Sequence, residues 1–227
     1  KKFKRMKPSI NDEGNYTFGY EEVLAGGESQ AQRRARFLPE DMPITGNKGW
    51  RLSDVKEGRV SMEDFVAQLS KEELSCIIRG EGMGSPKVTA GTASAFGGVS
   101  QSLKDYGIPC GCCTDGPSGM RLDSGMKAFS LPNGTLLACT FNTELVEELY
   151  AFTGIEMVKY KVDTLLGPGM NIHRHPLNGR NFEYFSEDPL LTGKMAAAQI
   201  RAMHRAGVTG TIKHFCANNQ ETQRNSI

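Results

Sequence analysis

Long apolar runs and a strong net charge are both missing from the 227-residue sequence. No apolar stretch approaches the roughly 20 residues that a membrane-spanning helix needs, and polar sequence follows the basic N-terminus where a signal peptide would be apolar. The 27 basic residues nearly balance 26 acidic ones, so no overall field recruits nucleic acid or an anionic membrane. These absences predict a cytoplasmic protein that binds neither nucleic acid nor a membrane.

Nucleotide and metal motifs are also missing. The strand ends carry neither a Gly-x-Gly-x-x-Gly nor a Walker pattern, which argues against a nucleotide site. Three of the six cysteines lie in IPCGCCTDG, but no second CxxC or HxxxH completes the four ligands of a zinc site. We expect buried free thiols beside a strand, in a reducing compartment, and neither a metal nor a cofactor.

The first quarter of the chain differs in composition from the rest. Residues 1–57 are polar and mixed in charge with few periodic apolar positions, which indicates an interdomain linker or extension. A domain is predicted over 58–227. It begins with two short helices, the second starting at a capping box in which Glu73 follows Ser70 by three residues. A Gly/Ser/Thr-rich loop is expected over 84–100.

Three short apolar runs, near residues 108, 163 and 209, predict buried strands. Two longer helical patterns separate them, 143–160 and 190–206, the second closed by Gly207. The first helix is expected to bury an apolar face made of Leu145, Leu149, Phe152, Ile155 and Met157. The βαβαβ order implies a parallel sheet covered by helices. A β/α barrel has eight such units, so the chain is either a small open α/β sheet or part of a larger body.

Polar side chains follow each predicted strand, where a β/α barrel keeps its active site. After the first strand, TDGPSGMR places Asp115 within one turn of Arg121. A carboxylate at this point can accept charge-assisted hydrogen bonds from the vicinal hydroxyls of a sugar. It can equally cap the turn, and the motif alone does not decide between the two roles.

The second strand leads into the polar loop 167–189, whose composition favours function over structure. Arg180 can offer two donors to a hydroxyl pair or to a carboxylate. Phe182, Tyr184 and Phe185 form either a sugar-stacking face or loop anchors, and we expect at least two of them to be anchors.

The same loop contains His173 and His175, which are similar to the His-x-His of metal-dependent barrel hydrolases. Lys213 and His214 would be further ligands of such a site. His175 precedes a proline and no carboxylate stands in a plain ligand spacing, which argues against a metal.

Lys213 and His214 follow the third strand side by side in KHFCANNQE. Neighbouring residues of a regular strand point to opposite faces. Both side chains can therefore reach one site only where the backbone is irregular.

Three segments carry a family resemblance: DGPSGMR, LLGPGMNIHRHPLNGRNFEYFSEDP and IKHFCANNQET. From about residue 52 to residue 227 the chain resembles the barrel domain of the β-glucosidase branch of glycoside hydrolase family 3. The resemblance implies a partial (β/α)8 TIM-like barrel of about the first three βα units, and retaining hydrolysis by double displacement. It assigns five residues to holding the hydroxyls of the sugar that is cleaved: Asp115, Arg121, Arg180, Lys213 and His214. KHFCANN lacks the second histidine of the N-acetylglucosaminidase branch, which disfavours that activity.

The resemblance assigns no catalytic residue to this chain. The family's nucleophile is an aspartate in Ser-Asp-Trp or Thr-Asp-Trp, whereas the only tryptophan here, Trp50, follows Gly49. The acid/base glutamate belongs to a separate α/β sandwich domain. The linker resembles that of permuted members in which the sandwich precedes the barrel, so the acid/base is expected upstream of Lys1 and the nucleophile beyond Ile227.

The leading hypothesis is a segment of a β-glucosidase that binds the terminal β-linked glucose and is inactive alone. Its expected partners are a small carbohydrate and the remaining barrel and sandwich parts of the same enzyme. A non-catalytic carbohydrate-binding or complementing fragment and a β-xylosidase-type specificity remain alternatives. Association into a homo-oligomer is left open.

Overall fold

The computed structural model describes residues 2–24, 29–38 and 41–226. The chain divides into two compact units, Lys1–Pro43 and Ile44–Ile227. The first contains an antiparallel hairpin of β1 (Lys2–Ile10) and β2 (Tyr16–Leu24), followed by α1 (Gln30–Phe37). The linker expectation for 1–57 did not include this hairpin. In β2, Tyr16, Phe18 and Tyr20 recur at every second position, which is typical of a strand.

One face of the hairpin is apolar. Met6 lies opposite Tyr20 and Ile10 lies opposite Tyr16, so that cross-strand pairs place large apolar side chains together. These side chains are exposed, and no described residue of the first unit is buried.

The second unit begins with three short helices, α2 (Leu52–Lys56), α3 (Met62–Ala67) and α4 (Lys71–Arg79). The predicted capping box at Ser70 is confirmed: its hydroxyl accepts from the backbone N–H of Glu73, and the Glu73 carboxylate accepts from that of Ser70. Phe65, Leu69 and Leu103 form a small hydrophobic cluster with the ring of Tyr106.

A four-stranded mixed sheet follows, with the order β3-β4-β5-β6. Its strands are β3 (Ser94–Gly97), β4 (Cys110–Asp115), β5 (Thr164–Leu166) and β6 (Thr209–Gly210). The three predicted strands are parallel, as expected. The loop prediction for 84–100 was wrong in part, because Ser94–Gly97 pairs antiparallel with β4. The second unit is therefore a partial α/β body with a mixed sheet.

Four further helices connect these strands. They are α5 (Gln101–Asp105), α6 (Gly134–Ala138), α7 (Thr143–Lys159) and α8 (Pro189–Arg205). The long helices α7 and α8 are confirmed at nearly the predicted bounds, and Gly207 adopts a φ of +83° just after α8. A short 3-10 helix, Asn181–Glu183, interrupts the polar loop after β5. Within the described ranges, no helix is both long and apolar enough to cross a membrane.

The predicted apolar face of α7 was right for Met157, which is buried in the core, and for Leu149, which packs against it, but wrong for its other three residues. Leu145, Phe152 and Ile155 are exposed, whereas Val146 and Tyr150 are buried. The two sets lie on different sides of one helix. The core lies between α7, α8 and sheet residues such as Leu165, so packing against α8 decides which side is inside. The thiols of Cys112 and Cys113 are buried and free beside β4, as predicted.

Candidate functional site

Asp115 is the last residue of β4, and the turn that follows it folds back tightly. The backbone N–H of Arg121 donates to the carbonyl of Asp115 at 2.7 Å, and the Thr114 hydroxyl donates to the carbonyl of Arg121 at 2.8 Å. Gly116 has a φ of +133°, and a Cβ there would lie 1.7 Å from the carbonyl oxygen of Gly119. Only glycine allows this turn, which holds Asp115 at the carboxyl end of the sheet.

Lys213 reaches the carboxylate of Asp115 across 98 residues of sequence. Its Nζ donates to Oδ1 at 2.5 Å, and the lysine side chain is 16% exposed. The backbone of Lys213 is fixed by a bridge to Gly169 beyond the end of β6. Regular strand pairing stops at Gly210, so the backbone at Lys213 and His214 is not that of a regular strand. This is the irregularity that the sequence predicted if both side chains are to reach one site.

Arg180 lies in the loop after β5 and is held from two sides. Its Nε donates to Glu183 Oε1 at 2.5 Å, and Glu221 Oε1 is 3.9 Å away. Glu183 is buried, with 7% of its side chain exposed. A buried carboxylate needs such a partner, so the two residues fix each other.

His214 contacts Arg180 on one side and Tyr184 on the other. Its Nε2 lies 3.3 Å from Arg180 Nη1, and its Nδ1 lies 2.8 Å from the Tyr184 hydroxyl. Burial lowers the pKa of His214, and the charges of Arg180 and Lys213 lower it further. The ring is therefore neutral at neutral pH.

Arg121 is the least enclosed of the five predicted residues. Its side chain is 63% exposed, and its Nε donates to Asp123 Oδ1 at 3.0 Å. Its link to Asp115 is through the backbone, where the two residues form a bridge.

All five predicted residues line one pocket of about 350 Å³. Its other walls are Met83, Gly91, Ala93, Asp123, Leu166 and Arg224. Donor groups and two carboxylates thus converge on a space that suits a small polyhydroxylated ligand.

The loop aromatics divide as expected. Tyr184 and Phe185 are buried and anchor the loop, while Phe182 is 58% exposed. No metal cluster is found: within 2–24, 29–38 and 41–226, no three His, Cys, Asp or Glu side chains are placed to share an ion.

Sequence reasoning missed the residues that hold the pocket side chains. Glu183 and Glu221 contact Arg180, and the Asn218 amide donates to Glu221 at 3.1 Å. The spacing of Glu183 three residues after Arg180 was a usable signal, since such pairs meet within one turn. Nothing in the pattern marks Asn218 or Glu221.

Residues 46–226 match the N-terminal domain model of glycosyl hydrolase family 3. The chain belongs to this family. The resemblance read from its motifs is thereby confirmed.

The relatives of this family 3 chain include several β-glucosidases and two exo-α-(1→6)-L-arabinopyranosidases from Bifidobacterium. It is 60% identical to a β-glucosidase of Ruminococcus albus over 225 residues, which is 99% of this chain and 23% of that protein. A crystal structure of a β-glucosidase from Paenibacillus barengoltzii is 56% identical with a TM-score of 0.80, covering 97% of this chain and 24% of that one. β-Glucosidase 3B of Thermotoga neapolitana, solved in complex with glucose, has a TM-score of 0.63 and 39% identity over 71% of this chain and 24% of that one. The chain thus spans about a quarter of the length of these relatives.

Proposed function

We propose that this chain holds the glycosyl unit in the active site of a retaining β-glucosidase, which removes terminal β-linked glucose from glucosides and oligosaccharides. The observation that carries the proposal is the convergence of Asp115, Arg121, Arg180, Lys213 and His214 on one pocket. Family membership and the similarity to β-glucosidases support it.

The chemistry of these groups suits a neutral sugar. A carboxylate has about four acceptor sites, so Asp115 keeps the capacity to accept from two hydroxyls beside its contact with Lys213. Arg180 and Lys213 donate to hydroxyl oxygens. Acceptors and donors together can satisfy hydroxyl groups, each of which both donates and accepts.

Retaining hydrolysis also needs two carboxyl groups about 5 to 5.5 Å apart, one as nucleophile and one as acid/base. We do not assign the nucleophile to this chain, because the Ser-Asp-Trp and Thr-Asp-Trp sequences do not occur in it. We do not assign the acid/base either, because the family resemblance places it in a separate α/β sandwich domain. The remaining barrel and the sandwich domain of the same enzyme would supply them.

Trapping with a 2-fluoro glucoside tests the assignment. The full-length gene product should accumulate a covalent glycosyl-enzyme, and peptide mapping should find the label on an aspartate outside residues 1–227. Label on any carboxylate within residues 1–227, such as Asp115 or Asp123 of the pocket, contradicts it.

Two alternatives give different results. A native polypeptide of 24.8 kDa in the source organism favours a non-catalytic binding or complementing fragment. A kcat/KM for an aryl xyloside above that for the aryl glucoside favours β-xylosidase-type specificity.

A further inference from the structure

A chain of hydrogen bonds lies behind the pocket. It runs from Glu221 Oε1 to Asn218 Nδ2 (3.1 Å), on to Tyr184 Oη (2.6 Å) and then to His214 Nδ1 (2.8 Å). Tyr184 has no solvent exposure. Its hydroxyl must therefore find both its donor and its acceptor partner within the protein.

The direction of the chain is set at Glu221. Hydrogen bonding by Asn218 holds the pKa of Glu221 below its ordinary value, and Arg224 and Arg180 add to the effect. An ionised carboxylate only accepts, so the Asn218 amide presents its nitrogen to it. That nitrogen carries a second hydrogen, which is donated to Tyr184 Oη.

The phenol proton of Tyr184 then needs an acceptor. The Asn218 nitrogen cannot accept, so the Nδ1 atom of His214 is the remaining partner. Leaving a buried hydroxyl unpaired costs more than the long contact between His214 and the part-exposed Arg180 can contribute. Tyr184 therefore donates to Nδ1, and the neutral ring carries its own proton on Nε2.

This tautomer places two donors side by side. The Nε2–H group of His214 and the Nη1 group of Arg180 are 3.3 Å apart and cannot satisfy each other. Both belong to residues that line the pocket. An oxygen that accepts from both would complete the arrangement, as a hydroxyl with two lone pairs can.

We propose that Tyr184 is a positioning residue that holds His214 as the Nε2–H tautomer, so that His214 and Arg180 donate together to one hydroxyl oxygen of the sugar. This inference rests on the proposed function. It adds a selectivity rule: the site rejects a sugar without that hydroxyl, because two donors are then left unpaired.

Nitrogen NMR of the full-length gene product with 15N-labelled histidine tests the tautomer directly. The His214 resonances are assigned by their loss in His214→Gln. Without ligand at pH 8, Nε2 should show the protonated shift and Nδ1 the unprotonated one. Tyr184→Phe removes the phenol donor and should convert the ring to a mixture or to the opposite tautomer.

Glucose binding provides the second measurement. Loss of one aligned hydrogen bond predicts an inhibition constant for glucose about tenfold higher in Tyr184→Phe. Among monodeoxy glucoses, one should bind much more weakly than glucose to the wild type, and this difference should shrink in the variant. Tyr160→Phe is the control, since its hydroxyl donates to the Lys127 carbonyl at 2.8 Å outside the pocket; its constant should stay within about twofold.

A wild-type His214 with its proton on Nδ1 overturns the inference, even if Tyr184→Phe does not fold. A variant spectrum identical to the wild type also overturns it. If the wild type neither binds glucose nor cleaves a β-glucoside, the proposed function fails, while the ligand-free spectrum still decides the tautomer.

Discussion

At the scale of single residues, the pocket depends on side chains that do not line it. Arg180 is oriented by Glu183, whose carboxylate is nearly fully buried. The Arg180 side chain is 22% exposed and lines the pocket. Its position therefore follows from an ion pair behind it, with Glu221 as a more distant second partner.

Glu183→Gln tests this support. Glutamine keeps the shape and an acceptor but removes the charge, so Arg180 should lose its fixed orientation. We expect the inhibition constant for glucose to rise about tenfold and the free energy of unfolding to fall by about 2 kcal/mol, as for a hydrogen bond to a charged group.

The matched control for this change is Glu147→Gln. Glu147 pairs with Arg201 and Arg205, whose side chains are 57% and 62% exposed. Surface pairs of this kind contribute about 0 to 1 kcal/mol. Equal effects of the two substitutions would show that the ion pair of Arg180 has no special role.

His214 gives a prediction in pH. Burial is the main cause of its lowered pKa, followed by Arg180 and Lys213, so its NMR titration midpoint should lie below 6.5. Arg180→Gln removes one of the two charges and should move the midpoint upward. Because the unfolded ring binds its proton at higher pH than the folded ring, His214 weakens the folded state only below about pH 6.5. A midpoint at or above 6.5 in the wild type contradicts the prediction.

At the scale of elements, α7 and α8 pack against each other along their length. Gly154 of α7 faces Ala206, and a Cβ on it would lie 2.8 Å from the Ala206 Cβ. Gly193 of α8 has open space where its Cβ would be. A side chain at position 154 would therefore collide with Ala206, whereas one at position 193 would meet no neighbour.

Alanine substitution at each glycine should change the free energy of unfolding in opposite directions. Gly193→Ala should stabilise the 227-residue chain by about 0.5 to 1 kcal/mol, because alanine favours the helix. Gly154→Ala should instead destabilise it by about 1 kcal/mol, since overpacking outweighs the helical gain. Urea unfolding measures both, and stabilisation by both variants would contradict the close approach.

At the scale of the molecule, the buried residues are found in the second unit, where two hydrophobic clusters lie. The described residues of the hairpin unit are not buried, and two-stranded hairpins are marginally stable alone. The chain also covers 23% of the Ruminococcus albus β-glucosidase. The chain thus corresponds to about a quarter of that much longer protein.

The purified 227-residue chain should not turn over an aryl β-glucoside. It contains the proposed sugar contacts, but neither of the two catalytic carboxyl groups is assigned to it. Release of the aryl group is followed by absorbance, with the full-length gene product as positive control. If the purified chain releases the aryl group, and this activity remains after further purification, the catalytic carboxyl groups are not outside the chain and the prediction is wrong.

Local signals in the sequence determined much of the fold. The capping box at Ser70, the apolar runs and Gly207 each act within a few residues, so the helices α4, α7 and α8 and the parallel strands were predictable. The motifs after the strands also determined the family and the five pocket residues.

Tertiary structure decided what depends on contacts between distant segments. The face of α7 that is buried follows from packing on α8, because Leu145 and Val146 are both apolar and only the neighbour distinguishes them. β3 exists because β4 pairs with it. Arg180 and His214 are held by contacts between the loop after β5 and the loop after β6. These contacts form only when the two loops fold together, and they involve Tyr184, Asn218 and Glu221. Such contacts leave no periodic pattern in the sequence, because each is a single long-range pair.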